Sequence, residues 1–183
     1  RVVIHSSLVS TIFARSSLVT IFAGANRPVP LILIPLMLPP SGVDRMLLSE
    51  ATIKTACSYT INGQINKEYY SDEEWDNLNN NEKSYSEWGN IKPFCFSLIK
   101  GNKVPAAMKL VMLASYELVT DIIAKNNIDV NGLFINMKYQ EGHVDIITGT
   151  SLNVFTLDKQ LDTAFDKYVK TFLANAGLDF EEL

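Results

Sequence analysis

Histidine is nearly absent: His5 and His143 are the only two in 183 residues. A Ser-His-Asp or Cys-His apparatus in the main body of the chain would have to be built around His143 alone. Cysteine is equally scarce. Cys57 and Cys95 lack the CxxC spacing, which excludes a zinc ribbon and leaves a disulfide open, with two buried thiols in a reducing cytosol as the simpler expectation. Neither GxGxxG nor GxxxxGK[ST] occurs, and the fragments "GLF" and "GTS" are too short for a phosphate loop. Long apolar runs are missing too. "PVPLILIPLMLPP" is broken by Pro30 and Pro35 and closed by Pro39 and Pro40, short of the roughly 18 apolar residues a membrane span needs. No transmembrane helix is expected, and no cofactor or metal.

Residues 1 to 43 also lack lysine and any acid. They hold only Arg1, Arg15 and Arg27, while all 20 acids and the other 13 of the 16 basic residues follow, a balance of about −7 for the body against +3 for the head. Within the head, SSLVSTIFA is followed by an arginine and then SSLVTIFA. Four readings of this segment stay open. Its acid-free Arg and Ser composition fits a transit peptide, and its apolar run a secretory signal. It can be a native structural element, although its β-branched repeat keeps no helical period. Or it is upstream sequence joined to the gene, which would explain the composition break and the absent initiator methionine together. Exposed, such acid-free β-prone repeats would favour aggregation. The chain is therefore divided into an atypical head, 1–43, and a single domain, 44–183.

With 47% hydrophobic and 20% charged residues the chain has a globular composition. From Asp44 onward, Asn62-Gly63, Gly101-Asn102 and Glu141-Gly142 each sit between strand-favouring runs and predict two-residue hairpin turns. Helix starts lie between them. Ser71 with Glu74 forms a capping box before Trp75 and Leu78, and Ser115 precedes Leu118, Val119, Ile122 and Ile123. After Asp158, the residues Leu161, Ala164, Phe165, Tyr168, Val169, Phe172 and Leu173 keep a three-and-four spacing up to Gly177, the expected exit of a long C-terminal helix. Hairpins exclude a parallel βαβ sheet. The expected fold is α+β: an antiparallel sheet of three two-residue-turn hairpins with two or three helices packed on it.

Turn positions predict which residues share a face. About Gly101-Asn102, one face takes Ile91, Pro93, Cys95, Ser97 and Ile99 opposite Met112, Leu110, Met108, Ala106 and Val104, and is assigned to the core. The other takes Lys92, Phe94, Phe96, Leu98 and Lys100 opposite Val111, Lys109, Ala107, Pro105 and Lys103, with no acid between Glu87 and Glu117. Lys92, Phe94, Phe96, Lys100, Lys103 and Lys109 thus form a candidate binding surface. Lysines meeting phosphates and rings stacking on bases would suit single-stranded nucleic acid. The competing expectation is that the phenylalanines pack under a helix and the lysines protect a sheet edge.

About Glu141-Gly142, Leu133, Ile135, Met137 and Tyr139 share a face with Val144, Ile146 and Thr148, while Asn136, Lys138 and Gln140 lie opposite Ile147, Asp145 and His143 on a mostly solvated face. Lys138 and Asp145 are then a cross-strand pair, and His143 a surface residue at a turn. Thr148, Gly149, Thr150 and Ser151 could offer hydroxyls to a ligand, although a strand end or bulge accounts for them as well. Asp72, Glu73 and Glu74 suit a first helical turn, and Asp162 and Asp166 a solvated helix face.

Three stretches together resemble a known family: "LLSEATIKTACSYTINGQINKEYYSDEEW", "IKPFCFSLIKGNKVPAAMKLVM" and "GLFINMKYQEGHVDIITGTSLNVFTLDKQLDTAFDKYVKTFL". The chain is similar, over about residues 44–178, to small proteins of clostridia and related Firmicutes grouped as a domain of unknown function. That resemblance implies a bacterial, cytoplasmic protein with a short helical lead-in before "VDRMLLSE", and it carries over no functional residues. A Firmicute origin would also remove the transit-peptide reading. The expected function is a non-enzymatic binding or interaction module whose partner stays open, a protein being one possibility. Two alternatives stand beside it: single-stranded nucleic-acid binding through the hairpin 91–112, and a small-molecule site or enzyme pocket near Thr148–Ser151 that draws on Tyr59, Tyr69 and Tyr70.

Overall fold

The computed structural model describes residues 12–22, 44, 46–79, 84–99, 103–123, 130–152, 159–175, 178 and 180–182. Seven strands among these residues form one antiparallel sheet: β1 (Ile12–Phe22), β2 (Leu47–Lys54), β3 (Ser58–Asn62), β4 (Ala107–Leu113), β5 (Val130–Gln140), β6 (His143–Leu152) and β7 (Glu181–Glu182). Their order across the sheet is β3-β2-β4-β5-β6-β1-β7. Four α-helices are described: α1 (Asp72–Asn79), α2 (Trp88–Ile99), α3 (Tyr116–Ile123) and α4 (Gln160–Asn175). The fold is α+β with a long C-terminal helix. Among the described residues no helix is long and apolar enough to cross a membrane.

The third predicted hairpin forms as its residues require. Gln140 pairs with His143, Lys138 with Asp145 and Leu133 with Thr150, and the tip residues Glu141 and Gly142 both take positive φ, 51° and 84°, as a two-residue hairpin turn demands. Alternation then puts Leu133, Ile135, Met137, Tyr139, Val144 and Ile146 in the core beside Met108, Leu110 and Met112 of β4. In β2 the buried set changes parity, from Met46 and Leu48 to Ala51 and Ile53, because a register shift between Leu48 and Glu50 inserts one residue and turns the strand over.

Two predicted hairpins are corrected. Asn62-Gly63 is not a turn: β2 and β3 are joined through residues 55–57, where Thr55 N–H donates to the Cys57 carbonyl at 2.8 Å. Gly63 is required for a different reason. A Cβ there would lie 1.8 Å from the Leu48 carbonyl oxygen, so the chain passes too close to β2 for any side chain. The hairpin 91–112 is absent as well, because residues 88–99 are helical. Trp88, Lys92, Cys95 and Ile99 make the buried stripe of α2 at helical spacing, and Pro93, which would have removed a ladder hydrogen bond from a central strand, stands exposed on the far side. Strand β4 forms, but pairs with β2 and β5 instead. The predicted tip Gly101-Asn102 lies outside the described residues.

The other helices start where predicted. Ser115 Oγ accepts from Leu118 N–H at 3.3 Å at the head of α3, and α4 buries Leu161, Phe165, Val169 and Leu173 against the sheet. Its end is closed by Leu178 N–H donating to the Leu173 carbonyl at 3.1 Å, the six-to-one bond of a Schellman closure. Helix α2 packs on β2, α4 on β6 and β1, and α3 on α4. From the head, β1 pairs with β6 from Ile12–Leu152 to Phe22–His143, and two-residue β7 pairs with β1.

Candidate binding surface

Helical geometry disperses the surface that strand alternation had assembled. Phe94 and Phe96, two residues apart, are turned about 200° from each other around α2. They flank the helix on separate sides, Phe94 being 65% exposed. Lys92 is not on the surface: its ammonium forms an ion pair with the Asp44 carboxylate, and only 7% of its side chain meets solvent. Lys100 lies outside the described residues, and Lys103 is exposed beyond the helix. Lys109 sits on β4 between Thr52 and Lys138, on the alternate face from Met108 and Leu110, 3.3 Å from the Glu50 carboxylate. The five described residues therefore share no face, and helix α2 turns Phe94 and Phe96 apart instead of presenting them together as nucleic-acid binding through 91–112 required.

The cluster near the end of β6 is used inside the fold. Thr148 Oγ1 donates to Asp166 and Thr150 Oγ1 to Asp162, each at 2.5 Å, and Asn131 Nδ2 donates to Ser151 Oγ at 3.2 Å. Thr148, Thr150 and Ser151 are buried. The two aspartates, expected on a solvated face, are half-buried and join α4 to the sheet, since carboxylates one helical turn apart meet hydroxyls two residues apart on one strand face. Tyr59 is on β3, with β2, β4 and β5 between it and β6. Four strand spacings amount to about 19 Å, so no common pocket joins Tyr59 to Thr150 and Ser151.

His143, half-buried, stands 3.7 Å from Asp145 of its own strand. The cysteines are free: Cys95 is buried and its thiol is pushed up to about 11 by desolvation, whereas Cys57, expected to be buried, is exposed in the turn before β3. Among the described residues no group of three or more His, Cys, Asp or Glu could hold a metal ion.

The capping box is formed in full. Ser71 N–H and Oγ donate to Glu74 Oε2 at 2.9 and 3.0 Å, and Glu74 N–H donates back to Ser71 Oγ at 3.3 Å. These bonds hold the Glu74 carboxyl below its ordinary range. Just before it, residues Lys67–Tyr69 make a 3-10 turn capped by Asn66. The box and the turn bring Tyr69, Tyr70 and Trp75 together, with Lys67 over the indole. Periodicity did not reveal this group. Its signal was the density of aromatic residues between two caps.

A further feature is the outer edge of β3. Gly63 N–H donates to the Ser49 carbonyl and Thr55 N–H to Cys57, so the hydrogen-bonded positions along β2–β3 include Ile61 and Tyr59. In an antiparallel ladder the alternate residues face away. Ser58, Thr60 and Asn62 consequently turn their main-chain groups outward, and among the described residues β3 ends the sheet on that side.

The model of a family of unknown function, DUF5721, matches residues 37–181, a span that begins after β1 and contains β2 to β6 and the first residue of β7. No curated protein and no solved structure matches the chain.

Proposed function

The chain belongs to the DUF5721 family, which has no assigned activity to lend it, and from its own surface we propose a non-enzymatic interaction module that takes an extended segment of a partner protein onto the outer edge of β3. The observation that carries this reading is the unblunted edge of β3. Natural sheets blunt their edges with charge, proline, bulges or very short strands. At one end the two glutamates of β7 cover Val19 and Thr20 of β1, and Glu182 is held by Lys170 at 2.7 Å. At the other, β3 reads SYTIN, without charge or proline, pairs with β2 with no register shift, and is exposed except at Ile61. An incoming strand would find the outward groups of Ser58, Thr60 and Asn62 aligned to receive it.

Thr60→Pro tests this cleanly. The Thr60 N–H points outward, so proline leaves the β2–β3 ladder intact while removing the central donor of the free edge. The probe is a labelled alternating Thr-Val pentapeptide followed by fluorescence anisotropy, with a copy N-methylated on alternate residues as control. Saturable binding that is lost both in Thr60→Pro and with the methylated peptide is expected. Binding indifferent to both changes, or no binding by the native chain, refutes the reading.

A further inference from the structure

Between β3 and α1 lies a group of side chains that the core does not need. Tyr69 and Tyr70 meet edge to face with centroids 5.3 Å apart, and Tyr70 lies 6.3 Å from Trp75 at a 47° tilt. The Lys67 ammonium stands 5.7 Å from the indole centroid. Tyr69 is 82% exposed, and the exposed acids Glu68, Asp72, Glu73 and Asp76 surround the group in sequence. The Asn66 cap and the Ser71–Glu74 box fix the backbone on both sides of the rings, so the cluster is preorganised rather than assembled on demand.

We propose that Trp75, with Tyr70 and Tyr69 beside it, forms a binding site for an organic cation, a quaternary ammonium or alkylated amine head group, and that Lys67 covers its indole face intramolecularly in the free protein. The electron-rich ring face attracts cations, tryptophan most strongly, and aromatic groups of this kind recognise alkylated ammonium ions. A primary ammonium is strongly hydrated, so Lys67 is a weak occupant. A methylated cation brings the same charge with apolar surface for the rings, and the neighbouring carboxylates raise its local concentration. This site is independent of the β3 edge and stands whether or not that edge binds a strand.

Trp75 and Trp88 are the only tryptophans, and Trp88 is fully buried, so an external ligand reports through Trp75. The full chain is titrated at constant ionic strength with choline and with its uncharged isostere 3,3-dimethylbutan-1-ol, following indole fluorescence. A saturable change with choline alone is expected. Lys67→Met vacates the indole and should tighten choline binding about two- to fivefold, the factor a single exposed cation–π contact supports. Tyr70→Leu, which removes a ring of the site but keeps the Trp75 reporter, should weaken choline binding with its circular dichroism unchanged. Equal responses to choline and the alcohol, no saturable response, or an affinity that Lys67→Met leaves unchanged or weakens would each overturn the proposal.

Discussion

Asp44→Ala is expected to destabilise the domain more than Lys92→Met, and the order follows from which charge can reach water. The pair joins the segment before β2 to the buried stripe of α2, with 7% of the Lys92 side chain exposed and 27% of Asp44. Removing Asp44 strands an ammonium inside the sheet–helix interface. Breaking a buried pair from one side costs about 3–5 kcal/mol, and the lower figure applies because the pair is not fully dry. Removing Lys92 leaves a carboxylate that solvent already reaches, while methionine fills the aliphatic volume; about 1–2 kcal/mol is expected. Docking of the helix survives both changes, since Gly89 N–H donates to the Asp44 carbonyl and Trp88 N–H to that of Met46. Urea unfolding followed by Trp88 fluorescence reads both variants and the double. For a chain of this size, 3 kcal/mol corresponds to a Tm lower by about 6–12 °C. The double variant should be more stable than Asp44→Ala alone, which requires a coupling larger than the cost of Lys92→Met, about 2–3 kcal/mol. If Lys92→Met costs as much as Asp44→Ala, or the two effects add, the charge is not buried in the sense argued.

Gly63→Ala forces a carbon to 1.8 Å from the Leu48 carbonyl and should cost more than about 4 kcal/mol, whereas Gly142→Ala, in open space at φ +84°, should cost about 1–2 kcal/mol; chemical denaturation separates them. With an aromatic disulfide reagent at pH 8, Cys57 should react in the native protein and Cys95 only on unfolding, because Cys95 is buried and its thiol sits near 11. Glu74 has a folded pKa below its ordinary 4.5, so its contribution is complete above 4.5 and is lost as pH falls through the lower folded value. Ser71→Ala should flatten that acid-side slope in a stability–pH series, and an unchanged slope would contradict the capping role.

What was legible before the structure depended on whether a signal had one physical cause or two. At Glu141-Gly142 the turn chemistry and the alternation of Leu133 to Tyr139 against Val144 to Thr148 demand the same register, and the hairpin follows residue for residue. Asn62-Gly63 carries the same local signal, but a glycine serves a close approach as well as a positive φ, and only the Leu48 carbonyl of another strand decides between them. Residues 88–99 hold both periods at once, since Cys95 and Ile99 suit an alternating face and a helical stripe alike. Pro93 disfavours a helix interior and a central strand alike, so it does not decide between them. What concealed the stripe was Lys92, a charge at a core position, whose partner Asp44 lies far away in sequence. Thr148 and Thr150 show the same limit: which carboxylates meet them depends on where α4 crosses β6, a property of packing. The candidate surface failed for this reason above all. A period of two places Phe94 and Phe96 side by side, a period of 3.6 turns them apart, and every inference about what they could bind rested on that choice of period.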